Sequence, residues 1–475
     1  MLISRPEDLR LERVPLELSP ALLERLRTTR YAVLSALRSG APVYGVNTGM
    51  GAMSKVRLSE AEQGVHQRNL LLGRAVGGPP WLPPDEARAV VVARLWTFLT
   101  GDAGVSSELC LRLVDLLNSD VVPAIPLEGA GSAGEIIPLA HSFGPLVGIG
   151  SVLTPNGTVV AASSSSFELG PKEGIALLAG IPGATGRAWL LVSRARRLLE
   201  LQRLAAAGGI AVIGANRDPY NPLCGRGDEV LTAELTRLLE LAGPEDEPRS
   251  LQAPVSFRVA GHVFANLSRA VERLDEAVSR ALAGVTDSPA FLDGEFVGTA
   301  GFHGIDLAAH CDQLVAALTH ASEVSAARVH RLLDPAVTGL PAQLAREPGP
   351  QAGLVAVHKK AVALVHSLRR LSLPAAIGSV ETSNGQEDVQ SFSWEAASGL
   401  GEAIRLAREV LACEVLAVFQ AFALSKRAVP PLLQEFLGSV AAVVPPIEGD
   451  RPFGADLETL VTRCLSIAAP GTRRT

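Results

Sequence analysis

Aromatic residues are scarce in this 475-residue chain, at 4%, although hydrophobic residues as a class reach 47%. A large core must therefore be built mainly from Ala, Leu and Val, as packed helices are. Lysine is scarce too, and nearly all positive charge is arginine, the coding bias of a GC-rich genome. A net charge of −6 and a pI near 5.9 leave no basic surface for nucleic acid, so a small-molecule partner is expected. The five cysteines, Cys110, Cys224, Cys311, Cys413 and Cys464, are scattered and never form a Cys-x-x-Cys pair. They indicate neither a disulfide framework nor a zinc site, and no histidine has a metal-site spacing. No charged-then-apolar leader opens the chain and no uncharged apolar run reaches membrane length, so no membrane partner and a cytoplasmic location are expected.

Length alone suggests two or three domains. Against that stands the absence of any internal repeat or separating linker. Leu9 to Leu37 interleaves Leu with charge at helical spacing, with Ser19-Pro20 as a helix start. Pro155-Asn156-Gly157 between two apolar runs predicts a hairpin within Gly148 to Ala162. From about Ala188 the pattern becomes long amphipathic helices rich in Ala, Leu and Arg.

The distinctive stretch is Glu128 to His141, where the small residues Gly131, Ser132, Ala133 and Gly134 precede Pro138-Leu139-Ala140-His141. On spacing alone it is a tight loop feeding a helix. A second small-residue loop, Tyr44-Gly45-Val46-Asn47-Thr48-Gly49-Met50-Gly51, cannot be helical. Further strings are Gln67 to Gly78, Lys172-Glu173-Gly174-Ile175-Ala176-Leu177, Thr286-Asp287-Ser288-Pro289, Gly301-Phe302-His303-Gly304 and Glu381 to Ser391.

Taken in order, these strings resemble the aromatic amino acid lyases, the family of histidine, phenylalanine and tyrosine ammonia-lyases and their aminomutase relatives. The resemblance covers nearly the whole chain. It implies a mostly α, ammonia-lyase-like fold: an N-terminal active-site domain over 1–187 with a small mixed part, and a central helical bundle over 188–475. It also implies a homotetramer with active sites shared between subunits. In the family an Ala-Ser-Gly triad ahead of Pro-Leu-Ala-His matures into the electrophile methylideneimidazolone. Here that triad is Ser132-Ala133-Gly134, and alanine has no hydroxyl to eliminate, so no cofactor is expected. A shifted triad, Gly131-Ser132-Ala133, would need the Ala133 amide to attack across the turn.

The resemblance assigns Tyr44 as the catalytic base; a phenol, with a reference pKa near 10, needs a positive neighbour for that role. Glu387, with Gln386 before it, matches the family's pocket glutamate and is the second catalytic candidate. Gly73 and Arg74 stand where the family carries the pair that selects the substrate ring, and Arg74 brings a cation suited to a carboxylate or phosphate. Arg217, Tyr220 and Phe302 fall on substrate-contact positions. Ala179 replaces the family's ring-contacting asparagine, and Leu223 replaces the arginine that clamps the α-carboxylate. The expected activity is therefore cofactor-independent acid–base chemistry, such as cyclisation, isomerisation or addition and elimination, on a polar or acidic biosynthetic intermediate. The alternatives are a true ammonia-lyase or aminomutase with a shifted triad, and a non-catalytic binding or assembly partner.

Overall fold

Helix starts in the first part of the chain are set by short polar residues and prolines. The computed structural model describes residues 1–244 and 248–467; positions 468–475 of the expected C-terminal unit lie outside them. A short parallel pair, β1 (Leu2–Ile3) and β2 (Glu17–Leu18), precedes α1 (Pro20–Leu37). Ser19 accepts the Leu22 N–H at 3.3 Å, and Pro20 occupies a position whose N–H would have no helical partner. The helix thus begins at the expected Ser19-Pro20 start, and the Leu-and-charge pattern ahead of it, from Leu9, is not α-helical. A Ser59–Glu62 capping box opens α2 (Glu60–Leu72). Then follow α3 (Pro84–Thr100), α4 (Ser107–Asn118) and a three-stranded antiparallel sheet of β3 (Val122–Pro123), β4 (Ser151–Leu153) and β5 (Val159–Ala161). The β4–β5 turn carries the Asn156-Gly157 pair, with Gly157 at φ +79°. Between β3 and β4 lies α5 (Ile136–Phe143), and α6 (Glu173–Leu178) follows the sheet.

The long bundle begins with α7 (Pro182–Val212), which starts on a proline and buries small and aliphatic side chains all round. By length and composition alone the helical stretch Glu173–Val212 could cross a membrane, although charged residues interrupt it. In the structure 89% of its most apolar window is buried inside the protein, as in a core helix. Beside α7 run α8 (Glu229–Ala242), the single turn α9 (Val255–Arg258) and α10 (Ala260–Ala283). A hairpin of β6 (Ala290–Leu292) and β7 (Glu295–Val297) leads into α11 (Ile305–Leu332). The short α12 (Pro335–Thr338), then α13 (Val355–Leu371) and α14 (Ser393–Leu424), complete the layer. Between α11 and α14, Glu414 accepts from Ser325 Oγ at 2.6 Å and from Arg328 Nη2 at 2.9 Å, all three buried. Such a fully paired buried charge fixes the register of two otherwise smooth Ala/Leu faces.

Apolar residues form two cores, one under α1–α6 and one inside the bundle, and the edge-to-face pair Trp96–Trp189 packs against both. The cavity described next lies where loops of the first part meet the segments before α11 and α14.

Candidate functional site

Tyr44 is held by a loop that the chain can form only with small residues. Gly45 has φ +67°, and a Cβ there would lie 2.2 Å from Ile175 Cδ1. Asn47 ties the loop to itself, accepting from the Val43 N–H at 2.7 Å and donating to the Ala41 carbonyl at 2.7 Å. Buried Gln67 then joins three elements: its Nε2 donates to the Gly45 carbonyl at 3.0 Å and its Oε1 accepts the Ile175 N–H at 3.1 Å. The Tyr44 hydroxyl accepts the Gly51 N–H at 2.8 Å and faces a cavity of 360 Å³.

The small-residue loop forms the opposite wall. Ser132 Oγ turns back on its own loop and donates to the Gly134 carbonyl at 2.8 Å. The Ala133 N–H donates to Glu387 Oε2 at 3.0 Å, and the Ala130 N–H donates to Glu395 Oε1 at 3.1 Å. Two carboxylates, Glu387 before α14 and Glu395 in its first turn, thus grip this loop by its backbone. Burial pushes the Glu395 carboxyl above its ordinary range. Glu387 also accepts from Thr382 Oγ1 at 3.3 Å. Tyr44, Ala133, Gly134, Phe302, Gln386 and Glu387 therefore border one cavity, with Met50, Ile175, Leu178 and Ala179 as its apolar surface.

Four expected site residues lie elsewhere. Gly73 caps the C-terminal end of α2 and does not line the cavity. Arg74 stands one residue farther on, behind Met50, and interacts electrostatically with both Tyr44 and Glu387. Arg217 lies outside this cavity: its guanidinium donates to the carbonyls of Ile210, Ala215, Ala242 and Gly243 and so closes the C-terminal ends of α7 and α8. Tyr220 also lies outside this cavity, fully buried in the bundle core, where it donates to the Phe257 carbonyl at 2.9 Å.

Beneath the cavity lies a charged layer that spacing did not signal. Fully buried Lys172 donates to Asp287, and Arg94 donates to the Ala179 carbonyl while its guanidinium lies over the Phe98 and Phe143 rings. Burial works against both charges of the Lys172–Asp287 pair, and each offsets part of that effect for the other. Glu135 accepts the Gly183 and Ala184 N–H groups at 2.7 and 2.8 Å, at the start of α7. Burial nevertheless pushes its carboxyl up to about 7, against the pull of those amides and of Arg94 and Arg187. His141 accepts the Gly77 N–H at 3.0 Å and so orients the strand of chain that follows Arg74.

Known proteins resemble this chain in sequence and in fold. The family model described as aromatic amino acid lyase matches residues 7–442. The histidine ammonia-lyase of Symbiobacterium thermophilum is 30% identical over 93% of this chain and 91% of its own length. That of Deinococcus radiodurans is 31% identical over 93% and 88%. Among solved structures, the tyrosine aminomutase of Streptomyces globisporus superposes with a TM-score of 0.91 at 26% identity, covering 97% of this chain and 95% of that one. The ergothionase of Treponema denticola, at 23% identity and a TM-score of 0.89, shares the fold. With the matched model spanning most of its length and these relatives covered almost end to end, the chain belongs to the aromatic amino acid lyase family.

Proposed function

We propose that this chain is a cofactor-free acid–base enzyme on the lyase scaffold, with Tyr44 moving a proton on a polar or acidic small molecule. The observation that carries the reading is Ala133, which meets the same cavity as Tyr44 and Glu387 with a methyl group. In the family's register the residues do not fit methylideneimidazolone: Ala133 has no hydroxyl, and Ala179 offers only a methyl beside it. No step is routed through that group. Glu387 binds or orients the substrate, Phe302 packs against it, and the Arg74 cation supports negative charge developing at Tyr44. Exposed Leu223, Leu251, Leu373 and Ile377 support assembly of a homotetramer.

The test is Tyr44→Phe assayed on a substrate found by screening for turnover. General acid–base catalysis is worth on the order of 10²–10⁴ in rate, so kcat falls by about that factor. An unchanged kcat refutes the role.

One observation favours a second reading. The Ala133 N–H, which would be the nucleophile of the shifted Gly131-Ser132-Ala133 triad, sits on a carboxylate, and Gly131 has φ +48°. Intact mass separates the two. A mass equal to the encoded chain supports the cofactor-free enzyme, and a deficit of two waters supports an ammonia-lyase or aminomutase with that triad.

A further inference from the structure

A second cleft, of 340 Å³, opens where α3, α7 and α14 meet, and it shares no lining residue with the Tyr44 cavity. Pro83 and Arg405 apart, its lining side chains are buried or half-buried. It lies behind the root of the cavity loop, for Leu127 borders it and Ser398 Oγ donates to the Leu127 carbonyl at 3.1 Å.

The carboxylates on its walls have both oxygens engaged. Glu86 accepts from Arg187 Nε at 2.9 Å on one oxygen and from Arg194 Nη1 at 3.2 Å on the other. Asp85 accepts the Glu86 N–H at 3.0 Å and takes Arg194 on its second oxygen. Both Glu402 oxygens accept from Arg405, at 2.7 and 2.6 Å. The guanidinium groups of α7, in contrast, keep open donors. Arg187, whose side chain is 1% exposed, directs Nε to Glu86 and Nη1 to the Trp394 carbonyl at 3.1 Å and Ser398 Oγ at 2.9 Å. Among the described residues no group accepts from Arg187 Nη2 or from Arg194 Nε. A cleft with engaged acceptors and open donors selects a ligand that brings acceptors of its own.

Gly401 keeps this space open. It sits inside α14, where glycine costs about 1 kcal/mol relative to alanine, and its φ is not left-handed. A Cβ there would meet Leu191 Cδ2 at 3.8 Å and Glu86 Oε1 at 3.9 Å, ordinary contacts, so neither backbone nor packing requires a glycine. A longer side chain at this position would extend into the cleft.

We propose that the cleft binds a small oxyanion, carboxylate or phosphate, with the Arg187 guanidinium as its principal receptor and Arg194 beside it. Glu86, Trp394 and Ser398 already hold Arg187 in place, so little ordering is left to do when the anion arrives. Leu127, Ile404 and Ile467 add apolar wall for a short hydrocarbon chain on the anion. The site stands apart from the acid–base reading of the Tyr44 cavity, and either can fail without the other.

Isothermal titration calorimetry of the full chain at low, constant ionic strength tests it, with inorganic phosphate and butyrate as probes. Binding with a Kd of about 1 mM or tighter is expected for at least one, and the stronger identifies the anion. Gly401→Leu fills the cleft, leaves every guanidinium in place and favours the helix, so it is expected to fold and to weaken binding about tenfold or more. Arg194→Met is expected to weaken it by about threefold or more. Circular dichroism and melting establish that each variant folds, and should one fail the other carries the comparison. The proposal is overturned if neither probe binds the wild type in that range, or if either folded variant binds like the wild type.

Discussion

The wall of the cavity and the layer beneath it follow different rules. On the wall, Ala133, Ala179 and Ser288 present methyls or small groups. Directly underneath, the buried charged residues Lys172, Glu173 and Asp287 are tied to partners in the layer itself. Lys172 meets Asp287, and Glu173 accepts from Ser106 N–H at 2.9 Å and Gly170 N–H at 2.7 Å. A substitution on the wall changes what the cavity can do and leaves no buried charge stranded. One in the layer below strands a partner. The difference means that wall side chains can change while the backbone beneath them stays held.

The sharpest way to break this comparison is Lys172→Met. It leaves the Asp287 carboxylate buried opposite an apolar side chain, with Oδ1 already lacking a partner among the described residues. Breaking a buried pair from one side costs about 3–5 kcal/mol, to be read from urea unfolding. Adding Asp287→Leu should recover most of that loss. If Lys172→Met melts like the wild type, the layer is not the frame described here.

Local features were legible in the sequence where one or two residues decide the geometry. Ser19-Pro20 set a helix start and Asn156-Gly157 a hairpin turn, because caps and turns depend on chemistry within a few positions. Convergence of Tyr44 and Glu387 on one cavity came only through the resemblance, since no local rule relates residues so far apart. The surroundings of Arg217 were not legible, because its donors go to helix-end carbonyls that spacing cannot reveal. The charged layer was missed for the same reason: Lys172 and Asp287 lie 115 positions apart and meet only in the folded chain.

Glu135 sharpens the comparison through pH. It belongs to the buried layer yet directly follows the cavity loop. Its folded-state carboxyl titrates at about 7, above an unfolded glutamate at roughly 4.3. Between those values the folded protein holds a proton that the unfolded chain has released. The group's contribution is therefore fully present at low pH and is lost as pH rises through about 7. At 1.36 kcal/mol per unit the loss is on the order of 3 kcal/mol. Glu135→Gln cannot release that proton, so its stability should fall less than the wild type's between pH 5 and 7.5. Parallel curves for the two proteins would place Glu135 with the ordinary carboxylates.

The smallest effect belongs to the wall itself. In Glu387→Gln the amide oxygen can still accept the Ala133 N–H and the Thr382 hydroxyl, and the side chain is only half-buried, so no charge is left stranded. Its stability should stay within about 1 kcal/mol of the wild type. Under the acid–base reading the same substitution weakens substrate binding or turnover, because an amide carries no charge with which to orient a cationic or hydroxylated group. A large loss of stability would mean that the grip on Ala133 belongs to the frame, and the boundary between the two layers would move up to include the loop.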